Sequence, residues 1–133
     1  MSTRWVVTAL AVAIAGTAAA AAPARTVSYN NIVSPSKLIS CWAVMHAQRI
    51  ECSAPYLPDI GELDTFYALR PHGRSTVGER GDFPGFSTPR RTLRYGDTWK
   101  RPGIRCTMRR TGLTCRNLDG RGFHIAKGDV RRF

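Results

Sequence analysis

Two stretches of the chain repeat one unit. Residues 39–52 read ISCWAVMHAQRIEC and residues 104–115 read IRCTMRRTGLTC. In both, an aliphatic residue stands two positions before each cysteine. Residues two apart on an extended strand share a face, so each unit sets its cysteines among its aliphatic side chains. Folding each unit back on itself gives two antiparallel hairpins. The first turns around His46-Ala47, and the second turns at Arg110 to Gly112. Cys41 then opposes Cys52 and Cys106 opposes Cys115, at the separation that a disulfide requires. Four cysteines permit three pairings, and this hairpin register is the reason for expecting Cys41–Cys52 and Cys106–Cys115.

The start of the chain indicates an oxidising destination. Arg4 is followed by the uncharged apolar run WVVTALAVAI and then by the small-residue stretch GTAAAAAPA. That layout is a secretory signal peptide over residues 1–21, cleaved near Ala20 to Ala22 and too short to span a bilayer. No transmembrane segment is expected after its removal, and the protein is expected to be extracellular. In that setting an even set of cysteines forms disulfides. Zinc is disfavoured, because neither pair has C-x2-C spacing with further ligands nearby.

The fold expected is mainly β: one small domain of antiparallel hairpins stapled by two disulfides, with one short helix. Its boundaries are a leader at 22–32 and a domain at 33–133. Asp59 and Glu62 resemble a helix start, with Ile60, Leu63 and Tyr67 on one face. Residues 71–89 are rich in Gly and Pro and read as an irregular surface loop. NLDGRG at 117–122 is a turn that feeds a strand at Phe123 to Ile125, and the tail AKGDVRRF reads as a helical turn or coil.

Charge divides the mature chain. The full sequence carries a formal charge of +11. Between Arg25 and Pro89 basic and acidic residues balance, six of each, whereas Arg90 to Phe133 holds thirteen basic and three acidic residues. Such asymmetry points to an anionic polymer or an acidic protein as partner, and equally to a solubility feature. Arg105, Arg109 and Arg116 share the non-cysteine face of the second hairpin, Arg110 lies in its turn, and Arg121 is close in sequence. Arg94, Lys100 and Arg101 also lie nearby. Guanidinium groups on a stapled ribbon suit bidentate capture of phosphate or carboxylate, so Arg105, Arg109, Arg110, Arg116 and Arg121 are the candidate binding residues. Trp99, beside Lys100, is either a stacking platform or a core residue, and Trp42 is expected in the core.

Both ends of the chain also carry a resemblance. Ser34-Pro35-Ser36 with Ile39-x-Cys41, Leu93-x-Tyr95-Gly96, Gly112 to Asn117 and Gly120-x-Gly122-Phe123-x-Ile125 occur in order, ahead of Phe133. This resembles a domain family of unknown function found in small secreted bacterial proteins, whose members read SPSGNIGC, LPYG, GVTCxN and GHGFxLSRxxYxxF. The resemblance implies export, paired cysteines and a mainly β domain, and it implies no activity. Lys37-Leu38 replace the Gly-Asn of the first motif. Arg121, Ala126 and Val130 replace the His, Ser and Tyr of the last.

Catalytic signals are weak. His46, His72 and His124 offer a general acid and base for a phosphodiester hydrolase, without any accompanying motif. Glu62, Asp64, Glu79 and Asp82 offer paired acids, but within a charge-balanced segment where salt bridges explain them. No nucleophile elbow, P-loop or metal-binding helix is present. The expectation is a secreted, non-catalytic binding module without cofactor or metal, for a cell-envelope polymer, a nucleic acid or an acidic protein. The alternatives are a small secreted hydrolase of phosphodiesters and an inhibitor or toxin-like protein using the hairpin tips.

Overall fold

In the computed structural model, residues 1–3, 5, 10–18, 22–83 and 89–133 are described. Twelve strands form among them: β1 (Thr26–Val27), β2 (Asn31–Val33), β3 (Ser40–Val44), β4 (Arg49–Ser53), β5 (Asp64–Leu69), β6 (Thr76–Arg80), β7 (Arg91–Thr92), β8 (Thr98–Arg101), β9 (Ile104–Arg109), β10 (Gly112–Asn117), β11 (Gly122–Ala126) and β12 (Asp129–Arg132). They make two six-stranded sheets, ordered β1-β8-β9-β10-β11-β12 and β6-β5-β4-β3-β2-β7. Pairing is antiparallel except at β1 with β8 and β2 with β7. No described helix is long and apolar enough to cross a membrane.

Each doubled unit is one hairpin, β3–β4 and β9–β10, and each closes on its own disulfide. Cys41 pairs in register with Cys52 and Cys106 with Cys115, at Cα separations of 4.1 and 4.0 Å. The cysteine faces of the two hairpins meet in one core. Cys41, Ala43, Ile50 and Cys52 come from one sheet, and Ile104, Cys106, Met108, Leu113 and Cys115 from the other. Tyr67 and Phe123 bridge the sheets edge to face at 5.7 Å. Trp99 is fully buried here, and its indole N–H donates to the Tyr29 carbonyl at 2.6 Å.

Four expectations are corrected. The short helix at Asp59 to Tyr67 does not form: Ile60 and Leu63 are exposed, and Asp64–Leu69 is strand β5. A buried five-residue run that includes Thr65, Phe66 and Tyr67 suits an interior strand, and helical spacing of its apolar residues is what misled. The 22–32 leader carries β1 and the start of β2, because Val27 and Ile32 find core positions against β8 and β3. The 71–89 loop contains β6, which pairs with β5; residues 84–88 of that loop lie outside the described residues. The tail forms β12, paired with β11. Of the expected cleavage site near Ala20 to Ala22, Ala20 and Ala21 lie outside the described residues. Met45 is exposed, because a 3-10 turn at Met45–Ala47 ends the strand before it.

The outer face of the second sheet is also covered. Phe66, Ala68 and Phe83 cluster there with the half-buried Trp42. Beneath them Glu51 is fully buried, accepting from Trp42 Nε1 at 2.8 Å and paired with Arg49 at 2.6 Å and Arg80 at 2.9 Å. Asp97 is clasped likewise in the first sheet, by Arg25 at 2.8 Å and Arg94 at 3.1 Å. Burial alone pushes this carboxyl up. Hydrogen bonds from the Arg94 and Arg25 side chains and backbone outweigh it, holding Asp97 well below the usual carboxylate range.

Candidate anion-binding cleft

The outer face of the β9–β10 hairpin is wet and cationic, as alternation implies: Arg105, Arg109 and Arg116 are exposed, with Thr107 and Thr114 between them. Register sorts these arginines. Arg105 pairs across with Arg116, and Lys100 of β8 pairs with Arg105. The three cations form a row across three strands, with strands about 5 Å apart. At the row's far end Gly122 opposes Arg116, and the Phe133 ring lies under the Arg116 guanidinium at 4.5 Å. A stacked guanidinium keeps its N–H edge free for an acceptor.

The adjacent β8–β9 turn, Pro102-Gly103, closes the end of this row. Gly103 takes φ 73°, which glycine adopts without strain, and a Cβ there would meet Pro71 at 2.5 Å. Arg101 opposes the core residue Ile104 at the base of this turn, so its side chain leaves the other face of β8 from Lys100 and reaches Ser28 and Met45. Lys100, Arg101, Arg105 and Arg116, with Gly103, Ile104, Asn117 and Leu118, line a cleft of about 410 Å³. No carboxylate lines it, and none of its four cations has an ion-pair partner among the described residues. Arg25, Arg49, Arg80, Arg94 and Arg131 are by contrast all paired with carboxylates. Asn117 holds the cleft wall through both ends of its amide, donating to the Arg70 and Gly73 carbonyls and accepting from the Asp119 and Arg121 amides.

The five arginines singled out in the sequence therefore separate into three places. Arg105 and Arg116 share the cleft. Arg109 and Arg110 line a smaller hollow of about 190 Å³ with Lys127, where Arg110 stacks on Tyr95 at 4.7 Å. Arg121 lines another of about 190 Å³ with Arg74, Arg132 and Phe133. Lys100 and Arg101 are site members that alternation within β9–β10 alone does not supply. The signal that finds them is Pro102-Gly103: a two-residue turn there sets Arg101 opposite Ile104 and Lys100 opposite Arg105. Trp99 is not a stacking platform, because it points into the core.

The histidines do not converge. His46 lies in the first hairpin's 3-10 turn, and His72 contacts Asp119 at 3.1 Å. His124 is buried on β11, with Nδ1 2.7 Å from Thr114 Oγ1 and Nε2 3.5 Å from Asp129. None of the three lines the clefts described here. Of the four carboxylates, Glu62 and Asp64 share a cleft of about 510 Å³ with Asp59 and Lys37, while Glu79 accepts from the Leu63 amide at 3.4 Å. Asp82 lies outside that cleft. Among the described residues no group of three or more His, Cys, Asp or Glu is placed to hold a metal ion. No protein-family model, curated protein or solved structure matches the chain.

Proposed function

We propose that the protein is an exported, non-catalytic binding module that grips an anionic partner at Lys100, Arg101, Arg105 and Arg116. The partner classes are a cell-envelope polymer, a nucleic acid or an acidic protein. One observation carries this reading: four cations line a single cleft without a carboxylate, in a molecule that pairs five other arginines. Like charges set directly opposite one another on a sheet cost stability, so a row of three implies a use for them. Export is supported by the signal-like start and by two bridges buried in the core.

The family resemblance belongs to the same reading. Lys37, where the family motif has glycine, takes φ 66°, a backbone conformation that glycine adopts freely. Gly122, the second of the two glycines that the chain shares with the last motif, stands where a Cβ would lie 1.7 Å from the Cys115 carbonyl oxygen.

Titration with a labelled single-stranded oligonucleotide or polyphosphate tests the proposal. Binding is expected to fall linearly with log salt, and Arg105→Ala with Arg116→Ala to reduce the slope by about one per lost phosphate contact. Arg109→Ala, in a separate hollow, leaves this binding intact. Unchanged binding by the Arg105/Arg116 double variant overturns the reading.

A hydrolytic reading has one observation in its favour, the Thr114–His124–Asp129 set, in which a hydroxyl meets an imidazole whose other nitrogen lies 3.5 Å from a carboxylate. The set lies on a sheet face rather than in any of the clefts above. Cleavage of RNA by the wild type, lost in His124→Ala, would put this reading first.

A further inference from the structure

The Pro102-Gly103 turn has a cleft on each side. Gly103 lines the cationic one, and Pro102 lines a second of about 310 Å³ with a mainly apolar wall. Ala43, Ile50 and Ile104 on that wall are core residues drawn from both sheets, so the second cleft enters the molecule between the sheets. Pro71 completes the wall, and Met45 stands beside it, 64% exposed although apolar. Arg101 and Ile104 line both clefts. Among the described residues the Arg101 guanidinium contacts only neutral acceptors, donating to the Ser28 carbonyl at 3.0 Å and lying 3.0 Å from Met45 Sδ. An uncompensated cation thus marks the border between an apolar opening and a cationic row.

We infer that the two clefts together receive an amphiphilic anion with a single alkyl chain. Its charged head lies over Arg101 with Lys100, Arg105 and Arg116, and its chain enters between the sheets past Met45. The inference rests on the cationic-cleft reading and gives that site a ligand class. Charge complementarity selects the head, since a neutral amphiphile leaves the four cations without a partner. The apolar wall selects the tail: each methylene taken out of water tightens binding roughly fourfold, equivalent to about 0.8 kcal/mol.

Calorimetric titration of the intact protein with inorganic phosphate and then with butyl, hexyl and octyl phosphate, all below their aggregation concentrations, tests it. Affinity is expected to climb with chain length. Met45→Ser, a neutral polar change at an exposed position, should flatten the climb while leaving inorganic phosphate unaffected. Arg101→Ala should weaken every member of the series, and Arg109→Ala none. Equal affinity for inorganic and octyl phosphate overturns the inference and leaves the cationic site standing. Octyl glucoside binding as tightly as octyl phosphate overturns it too, because the head would then contribute nothing. Failure of every phosphate, inorganic included, removes both the inference and the site beneath it.

Discussion

Gly122 begins β11 opposite Arg116, with its Cα facing the Cys115 carbonyl so closely that no side chain fits. The clash is with backbone, which cannot rotate away. Gly122→Ala is therefore expected to destabilise by about 3 kcal/mol or more, the upper part of the overpacking range, seen as a lowered midpoint in urea unfolding. Asp97 acts through charge. Its carboxyl is held below its ordinary value in the folded protein, so it contributes stability above the unfolded-state value of about 3.9, and that contribution is lost as pH falls through this range. Asp97→Asn should cost about 1 to 3 kcal/mol at neutral pH. Arg25 and Arg94 are partly exposed and recover water, which keeps the cost moderate. The gap between wild type and variant should narrow as the pH is lowered below about 4; a constant gap would show that the carboxylate charge is not what matters.

At the scale of elements, the β9–β10 hairpin is two-faced. Its cysteine face is fully in the core, and its other face carries the row of like charges. Opposed like charges cost a few tenths of a kcal/mol or more, and salt screens them. Arg105→Thr should accordingly raise thermal stability at low salt, lose that advantage at high salt, and weaken anion binding throughout. A variant that is less stable at low salt would mean that Arg105 is a packing residue. Both hairpins were legible in the sequence because a period of two, a cysteine on each arm and a turn in between specify register locally. The helix expected near Asp59 was misread for a complementary reason. β5 is buried on both faces, so its apolar residues do not alternate, and only its neighbours β4 and β6 reveal it as a strand. The tail was equally opaque: Asp129 to Arg132 has little apolar content, and it becomes β12 because β11 offers it an edge.

For the whole molecule, the two bridges sit at the centre of one shared core rather than at separate rims. Each closes a short loop and contributes roughly 2 to 3 kcal/mol, against a usual total of about 5 to 15 kcal/mol for a domain. Reduction of both should lower the thermal midpoint steeply and in a single cooperative step; two separate transitions would mean that the sheets fold independently. The cleft likewise belongs to the whole. Its floor comes from β8, β9 and β10, its wall from the Asn117 turn, and the Asn117 amide is anchored by the Arg70 and Gly73 carbonyls, which follow β5.

The sequence by itself determined the mainly β class, the doubled cysteine hairpins with their strand faces, and the concentration of positive charge after Arg90, because each follows from local periodicity or simple composition; the structure selects Cys41–Cys52 and Cys106–Cys115 from the three possible pairings. Tertiary structure alone decided how Arg25 and Arg80, ahead of that run, are paired. Carboxylates remote in sequence, Asp97 for Arg25 and Glu51 for Arg80, neutralise some arginines, and only folding brings them together. It also decided that Lys100 and Arg101 join Arg105 and Arg116 while Arg109, Arg110 and Arg121 stand apart. Which cations line one cleft depends on strand register across β8, β9 and β10 and on how the clefts form between elements, neither of which a linear spacing encodes.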